Sequence, residues 1–133
     1  MTTPYRVLVT GSRDWEDAAA VRRALVDAWA TSSGRPFVVV HGHCPTGADA
    51  VADDWGTRMA ALHSSVTVDP HPARWRKPDG TCDKAAGYRR NAEMVTAGAD
   101  LCLAFIKAGS NGATHCLGLA EEAGIPTRTW RAP

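Results

Sequence analysis

The stretch Asp100-LCLAFIKAGSNGATHCLGLAEE-Ala123 decides the fold of this chain. Its apolar run, Asp100 to Ile106, is typical of a buried strand, and the residues from Ala113 to Ala123 favour a helix. The glycine turn from Gly109 to Thr114 lies between them. The first amides of such a helix have no intrahelical partner, and the positive end of the helix dipole points at the turn. The stretch therefore predicts a strand, an anion-binding turn and a helix.

Two more glycine turns follow strand-like runs. One is Thr10 to Asp14, after the run that starts at Tyr5, and the other is His41 to Ala48, after the Phe-Val-Val-Val run that starts at Phe37. The carboxyl ends of parallel strands lie at one edge of a sheet. We therefore expect the three turns to converge on one crevice.

Strand-like and helix-like patterns alternate along the chain, which is the signature of parallel βαβ units. The predicted strands are Tyr5–Thr10, Pro36–His41, Ser64–Asp69, Asp100–Ile106 and Pro126–Trp130. The predicted helices run from about Trp15 to Thr31, from Thr46, whose hydroxyl can cap it, to Leu62, from Ala86 to Ala97 and from Ala113 to Ala123. We predict an α/β fold, a Rossmann-like three-layer αβα arrangement with a five-stranded parallel sheet in the order 3-2-1-4-5. The 133 residues fit one domain, 1–133.

The segment from Pro70 to Asp83 breaks this alternation. It holds three prolines and no usable period, and a loop of this length inside a compact domain is often a lid or a binding loop. Its Trp75 has two interpretations: it can stack on a base, or it can close the edge of the core.

Composition excludes several classes of protein. Lysine and arginine number 15 against 14 acidic residues, which argues against a protein that coats nucleic acid. No apolar run is long enough to span a membrane, and we expect a cytoplasmic protein without a membrane partner.

The four cysteines lack zinc-ribbon spacing and are interpreted as reduced structural thiols. His41, His43 and Cys44 could ligate a metal, but a loop or core role is favoured, so we predict no metal and no cofactor.

Several of these motifs together resemble the SLOG superfamily. They are the Thr10–Arg13 turn, Gly47-Ala48-Asp49, Arg90-Asn91 with Met94, the Gly109–Thr114 turn, and Ala123-Gly-Ile-Pro126. Within the superfamily, the chain is similar to the small YspA-like, cpYpsA-related proteins, and the similarity covers nearly its whole length. The resemblance implies a Rossmann-like nucleotide-binding fold. Better known relatives are the Lonely Guy phosphoribohydrolases and the DNA-processing protein A recombination mediators.

One departure from the Lonely Guy pattern bears on catalysis. Those enzymes carry Pro-Gly-Gly-x-Gly-Thr-x-Glu, in which the glutamate acts in N-glycosidic cleavage. Here the threonine position is Ala113 and the glutamate position is His115. Because neutral histidine cannot supply the negative charge of that carboxylate, the hydrolase activity does not transfer with the resemblance. The catalytic residues stay unassigned.

The predicted ligand-binding residues come from the three turns and the third helix. Arg90, whose planar fork can hold a phosphate in two bonds, is expected to face the ligand, whereas Arg89 is as readily solvated. Arg13 is expected either to clamp the phosphate or to pair with Asp14 or Asp17. The full set is Gly11, Ser12, Arg13, Gly42, Gly47, Asp49, Arg90, Asn91, Gly109, Ser110, Gly112, Ala113, Thr114 and His115.

Ser12 offers a hydroxyl and an amide to an anion. Two other residues of this set keep two interpretations. Asp49 can bond ribose hydroxyls, or it can be the acid that the first turn of any helix favours. His115 can contact the ligand or lie exposed.

Three functions follow as hypotheses. The chain could hydrolyse a nucleotide or nucleotide-derived small molecule, or it could bind one without catalysis, as a sensor or sequestering protein. Single-stranded DNA binding is disfavoured by the net charge of +1, so a nucleic-acid partner is unlikely. A homo-oligomer is possible, with Trp29, Trp55 and Trp130 as candidate apolar contacts.

Overall fold

The computed structural model describes residues 3–133 as alternating strands and helices. The elements are β1 (Tyr5–Gly11), α1 (Ala18–Thr31), β2 (Phe37–His41), α2 (Gly47–Leu62), β3 (Val66–Pro70), α3 (Ala86–Ala97), β4 (Leu101–Lys107), α4 (Asn111–Glu122) and β5 (Thr127–Ala132). None of the helices in this described range has the length and apolar character needed to cross a membrane.

The five strands form one parallel sheet in the order β3-β2-β1-β4-β5. In its centre, Val7 of β1 is in register with Val39 of β2 on one side and with Leu101 of β4 on the other. The predicted strand order and parallel pairing are confirmed. The first and fourth strands are neighbours, so their carboxyl-end turns lie side by side.

Helices cover both faces of the sheet because successive strand residues point to opposite sides. Val7 and Val9 pack with buried residues of α1 and α2, such as Leu25 and Ala52. Leu8 points the other way and packs with buried residues of α3 and α4, which include Met94 and Cys116. This produces the three-layer αβα arrangement.

Three helix starts differ from the prediction. Helix α1 begins at Ala18 rather than near Trp15, because the Asp17 side chain accepts a bond from the Ala20 amide and caps it there. Thr46 is the residue before α2, yet its hydroxyl makes no capping bond. Helix α4 begins at Asn111, which shortens the glycine turn by two residues.

The segment between β3 and α3 is more ordered than its prolines predict. Arg76 and Cys82 form an isolated antiparallel bridge, and the Lys77 amide donates to the Thr81 carbonyl at 2.8 Å. The side chain of Asp79 accepts bonds from both the amide and the hydroxyl of Thr81. The segment therefore folds back as a small hairpin, the 75–83 hairpin.

The three tryptophans named as candidate oligomer contacts all pack on the core. Trp55 is buried and meets Phe37 edge to face, and Trp130 stacks on Phe105 with ring centroids 4.7 Å apart. Trp29 is also packed against the same cluster. These rings stabilise the protein's own sheet and helix layers, so they give no support to self-association.

Candidate functional site

A cavity of about 390 Å³ lies where the carboxyl ends of β1, β2 and β4 meet, and we call it the main cavity. Trp75 of the 75–83 hairpin, one face of α3 and the turn before α4 complete its wall. The predicted site residues that line it are Gly11, Arg13, Gly42, Asp49, Arg90, Asn91, Gly109, Ser110, Gly112 and Ala113. Most of the predicted set is thus brought together at the switch point between β1 and β4.

Ser12 and Gly47 lie behind this wall rather than in it. The Ser12 amide donates to the Phe105 carbonyl at 2.9 Å, and its hydroxyl oxygen accepts from the Lys107 amide at 2.7 Å. Ser12 therefore braces the β1 turn against β4, which corrects the expectation that both groups face an anion. Gly47 has a φ of +73°, and a Cβ there would collide with the Ser12 carbonyl. Its role is close packing.

Thr114 and His115 line a neighbouring cavity instead of the main one. The Thr114 hydroxyl donates to the Ser110 carbonyl at 2.6 Å. His115 Nδ1 accepts from the Asn91 amide group at 3.3 Å, and its ring meets Tyr88 edge to face. His115, which the resemblance equates with the glutamate of Lonely Guy enzymes, thus lines the neighbouring cavity and not the main one.

The N-terminus of α4 presents free amides to the main cavity. Its first amides have no intrahelical partners, and Ser110, the residue before the helix, makes no side-chain capping bond. Gly109 holds the turn with a φ of +85°, a conformation that other residues seldom adopt. The Asn91 amide group donates to the Gly112 carbonyl at 3.2 Å and ties the turn to α3. The arrangement favours an anion at this end of the main cavity.

Arg90 is fixed by the protein at one edge of the main cavity. Its Nε donates to the Asn91 side chain at 2.9 Å, and its Nη1 donates to the carbonyls of Gly42 and His71. Within residues 3–133, Nη2 makes no hydrogen bond to another residue. Arg90 can therefore offer only its Nη2 amino group to a ligand, because Nε and Nη1 of the planar fork already bond to the protein.

Arg13 and Trp75 form a second edge. The Arg13 guanidinium carbon lies 5.4 Å from the Trp75 ring centroid, and Trp75 is 39% exposed. A Cβ at Gly87 would lie only 3.0 Å from this ring, so α3 approaches the indole closely there. In the described range Arg13 pairs with neither Asp14 nor Asp17. Arg13 and Trp75 both line the main cavity, which favours the interpretation that each faces the ligand.

Asp49 is a buried acid with one unused oxygen. Oδ2 accepts from the Cys44 amide at 3.3 Å. Oδ1 has no hydrogen-bond partner among residues 3–133, and Asp49 is only 4% exposed. Burial raises the pKa of the Asp49 carboxyl. A buried acceptor without a hydrogen bond lowers the free energy of unfolding by about 1–3 kcal/mol. This cost is larger than the stabilisation that an acid gains at the N-terminus of a helix. Asp49 therefore resembles a ligand-binding group more than a helix-terminus residue.

Cys44 was not predicted to line the site. Burial, and next the negative charge of Asp49, raise the pKa of the Cys44 thiol. A thiol that holds its proton is a poor nucleophile and a poor metal ligand. Its backbone amide and its thiol both face the Asp49 carboxyl at the wall of the main cavity.

His41, His43 and Asp53 come within 4.8 Å of one another through their potential ligand atoms. However, both ring nitrogens of His41 are already bonded. Nδ1 accepts from the His43 amide at 2.9 Å, which leaves the proton on Nε2, and Nε2 lies 3.0 Å from Asp53 Oδ1. A metal would have to displace this proton, so the arrangement fits a core histidine better than a ligand.

Other lining residues escaped the sequence analysis although a signal for them exists. Lys84, Gly87, Tyr88, Asn91 and Met94 recur at helical spacing and all line the main cavity. Of these five, the sequence analysis placed only Asn91 at the site, although Met94 belongs to the same family motif. Arg89, on the opposite side of α3, forms an ion pair with Asp83.

Comparisons with known proteins identify the family of the chain. A sequence model of the YspA, cpYpsA-related SLOG family matches residues 5–77. The Gene 61 protein of Mycobacterium phage D29 is 46% identical over 123 residues, which are 91% of this chain and 92% of the phage protein. No solved structure matches the chain at a significant level. The extent of both sequence matches shows that the chain belongs to the YspA, cpYpsA-related SLOG family.

Proposed function

We propose that the main cavity binds a nucleotide or a nucleotide-derived small molecule, with a phosphate at the N-terminus of α4. Membership of the SLOG family supports a nucleotide-related ligand. The cavity volume of about 390 Å³ lies within the range of small-molecule sites.

The observation that carries this proposal is the unpartnered Oδ1 of Asp49 in the same cavity as the uncapped N-terminus of α4. One end of the cavity attracts an anion, and the other needs a hydrogen-bond donor. A nucleotide supplies both, because its phosphate is anionic and its ribose carries hydroxyl groups. An inorganic anion would satisfy only the first requirement.

Aromatic and cationic side chains suit the rest of such a ligand. Trp75 and Tyr88 are 39% and 45% exposed, and both line the main cavity. Exposed aromatic rings on a cavity wall can stack on a base. Arg13, Lys84 and Arg90 supply positive charge to the same cavity.

A hydrolase is the second candidate, and Asp49 favours it. A carboxyl group whose pKa is raised by burial can hold a proton and act as a general acid. Two observations argue against a hydrolase. His115 lines a different cavity. Among the described residues of the main cavity, the only other carboxylate is that of Asp14, which is exposed and lies 3.9 Å from the Lys107 amino group. Binding without catalysis, as in a sensor or a sequestering protein, is therefore the proposal we favour.

Thermal unfolding with a panel of probes tests the proposal. The panel consists of AMP, GMP, CMP and UMP, their nucleosides and inorganic phosphate. A probe held at 100 times its dissociation constant should add about 2.7 kcal/mol to the free energy of unfolding. We expect at least one nucleotide to stabilise the protein more than its nucleoside or phosphate alone. Equal stabilisation by nucleoside and nucleotide would contradict the phosphate site.

A comparison of ribo- and deoxyribonucleotides tests the other end of the cavity. If Asp49 accepts from a ribose hydroxyl, a nucleotide that binds should bind more tightly than its 2′-deoxy or 3′-deoxy analogue. Equal affinity of all three sugars would remove Asp49 from the binding account.

A further inference from the structure

A second cavity of about 500 Å³ lies beside the main one and is rich in cations. We call it the basic cavity. Five cationic residues line it, namely Arg74, Arg76, Lys77, Arg89 and Arg90, against two acids, Asp83 and Glu93. The formal charge of the whole chain is only +1. The basic cavity is thus a local concentration of positive charge on a nearly neutral protein.

Most of this charge is not used within the protein. Arg89 is neutralised by its ion pair with Asp83. Arg74, Arg76 and Lys77 form no ion pair with any residue of the described range, and all three are exposed. Neighbouring cations repel one another, and an anionic ligand would remove that cost.

The 75–83 hairpin separates the two cavities and serves both. Trp75 lines the main cavity, whereas its neighbours Arg74 and Arg76 line the basic cavity. This is the alternation of an extended segment, in which successive side chains point to opposite sides. The bridge between Arg76 and Cys82 and the bond from the Lys77 amide to Thr81 hold the segment in shape.

Arg90 belongs to the walls of both cavities. Its anchoring to the carbonyls of Gly42 and His71 fixes the guanidinium where the two cavities meet. A ligand that reaches Arg90 from the main cavity therefore comes to the rim of the basic cavity.

We propose that the basic cavity binds additional phosphate groups of the nucleotide held in the main cavity. The ligand class is then a nucleotide with more than one phosphate, either a nucleoside polyphosphate or a short 5′-phosphorylated oligonucleotide. This inference rests on the proposed function, because the main cavity must hold the first nucleotide unit. A mononucleotide with one phosphate would leave Arg74 and Arg76 without a partner.

Titration calorimetry with three probes tests the inference. The probes are AMP, adenosine 5′-tetraphosphate and a 5′-phosphorylated triadenylate. The test variant is Arg74→Gln with Arg76→Gln, and the matched control is Arg22→Gln with Arg23→Gln, which removes two exposed charges from α1. We expect the parent and the control to bind one of the longer probes at least about tenfold more tightly than AMP, because charge-assisted bonds to phosphate are strong.

The test variant should lose most of that gain and bind AMP as the parent does. The longer probe that loses affinity in the test variant shows whether the additional phosphates belong to a polyphosphate chain or to an oligonucleotide. If the longer probes gain nothing over AMP, or if the control loses as much as the test variant, this inference is wrong and the proposed function stands. If none of the three probes binds the parent, this inference fails, and the proposed function fails with it only if GMP, CMP and UMP do not bind either.

Discussion

Arg90 and Gly42 are packed so closely that the Arg90 guanidinium donates to the Gly42 carbonyl, and a Cβ at position 42 would collide with it. The absence of a side chain at Gly42 is what lets an arginine of α3 cross to the end of β2. The contact joins the turn after β2 to the helix that borders the main cavity. Arg90 therefore both holds these two elements together and lines the main cavity.

Replacing Arg90 by alanine should weaken nucleotide binding by about 1.5–3 kcal/mol if its free amino group bonds a phosphate. Stability should fall as well, since the carbonyls of Gly42 and His71 lose a donor. Arg89→Ala is the control for AMP binding, because Arg89 lies outside the main cavity. Titration calorimetry of both variants with a nucleotide that stabilises the parent measures the difference. Equal affinities for the two variants and the parent would remove Arg90 from the site.

Gly112→Ala should raise stability and lower anion affinity at the same time. The glycine is in the first turn of α4 with open space around its Cα, so alanine should stabilise the helix by about 0.5–1 kcal/mol. The new methyl group would, however, extend into the main cavity where we place the phosphate. Urea unfolding and nucleotide titration check the two effects.

Gly118→Ala is the matched control for this variant. Gly118 is on the same helix, also has open space around it, and lines none of the cavities described here. It should gain similar stability and keep the parent's affinity. The phosphate assignment fails if both variants bind a nucleotide equally well.

Asp49→Asn should be more stable than the parent at neutral pH. Burial raises the pKa of Asp49 in the folded state, so ionising it costs stability once the pH rises through that value. Below the ordinary aspartate pKa the group is protonated in both states and the cost disappears. The stability difference should therefore shrink as the pH falls toward the acid range, which urea unfolding at several pH values measures.

Asp54→Asn serves as the control for the pH series. Asp54 is an exposed residue of the same helix, paired with Arg58 on the protein surface, so its removal should change stability little. A gap between Asp49→Asn and the parent that stays constant with pH would show that Asp49 does not titrate as its burial implies.

Release of free base from nucleoside monophosphates should be absent from the parent protein. The resemblance equates His115 with the glutamate of Lonely Guy enzymes, and His115 lines the neighbouring cavity. For the same reason His115→Glu alone should not create activity. Chromatography against an enzyme-free control detects the base. Robust release by the parent, lost in Asp49→Asn, would instead support the hydrolase.

The sheet and its order could be predicted because the signals are local. Apolar runs such as the one from Phe37 to Val40 define buried strands, and the handedness of crossovers then limits the order. The convergence of the glycine turns on the main cavity could be predicted for the same reason. These features depend on a few neighbouring residues and on general rules of chain geometry.

The partners of individual polar groups could not be predicted in this way. Ser12 and Lys107 are 95 positions apart, yet their bond decides that the serine hydroxyl faces the protein. Likewise, the unused oxygen of Asp49 appears only when the surrounding atoms are placed. The 75–83 hairpin was missed because its bridge joins residues whose side chains show no strand period.

The most direct test of the central claim is the effect of a nucleotide on the backbone amides at the start of α4. In ¹H–¹⁵N spectra of labelled protein titrated with AMP, GMP, CMP or UMP, the amides of Asn111, Gly112 and Ala113 should move the most and should saturate with the binding curve. The amide of Gly118, on the same helix, should move little. Saturable binding that leaves the first three amides unmoved, or no binding by any of the four nucleotides at millimolar concentration, would contradict the account.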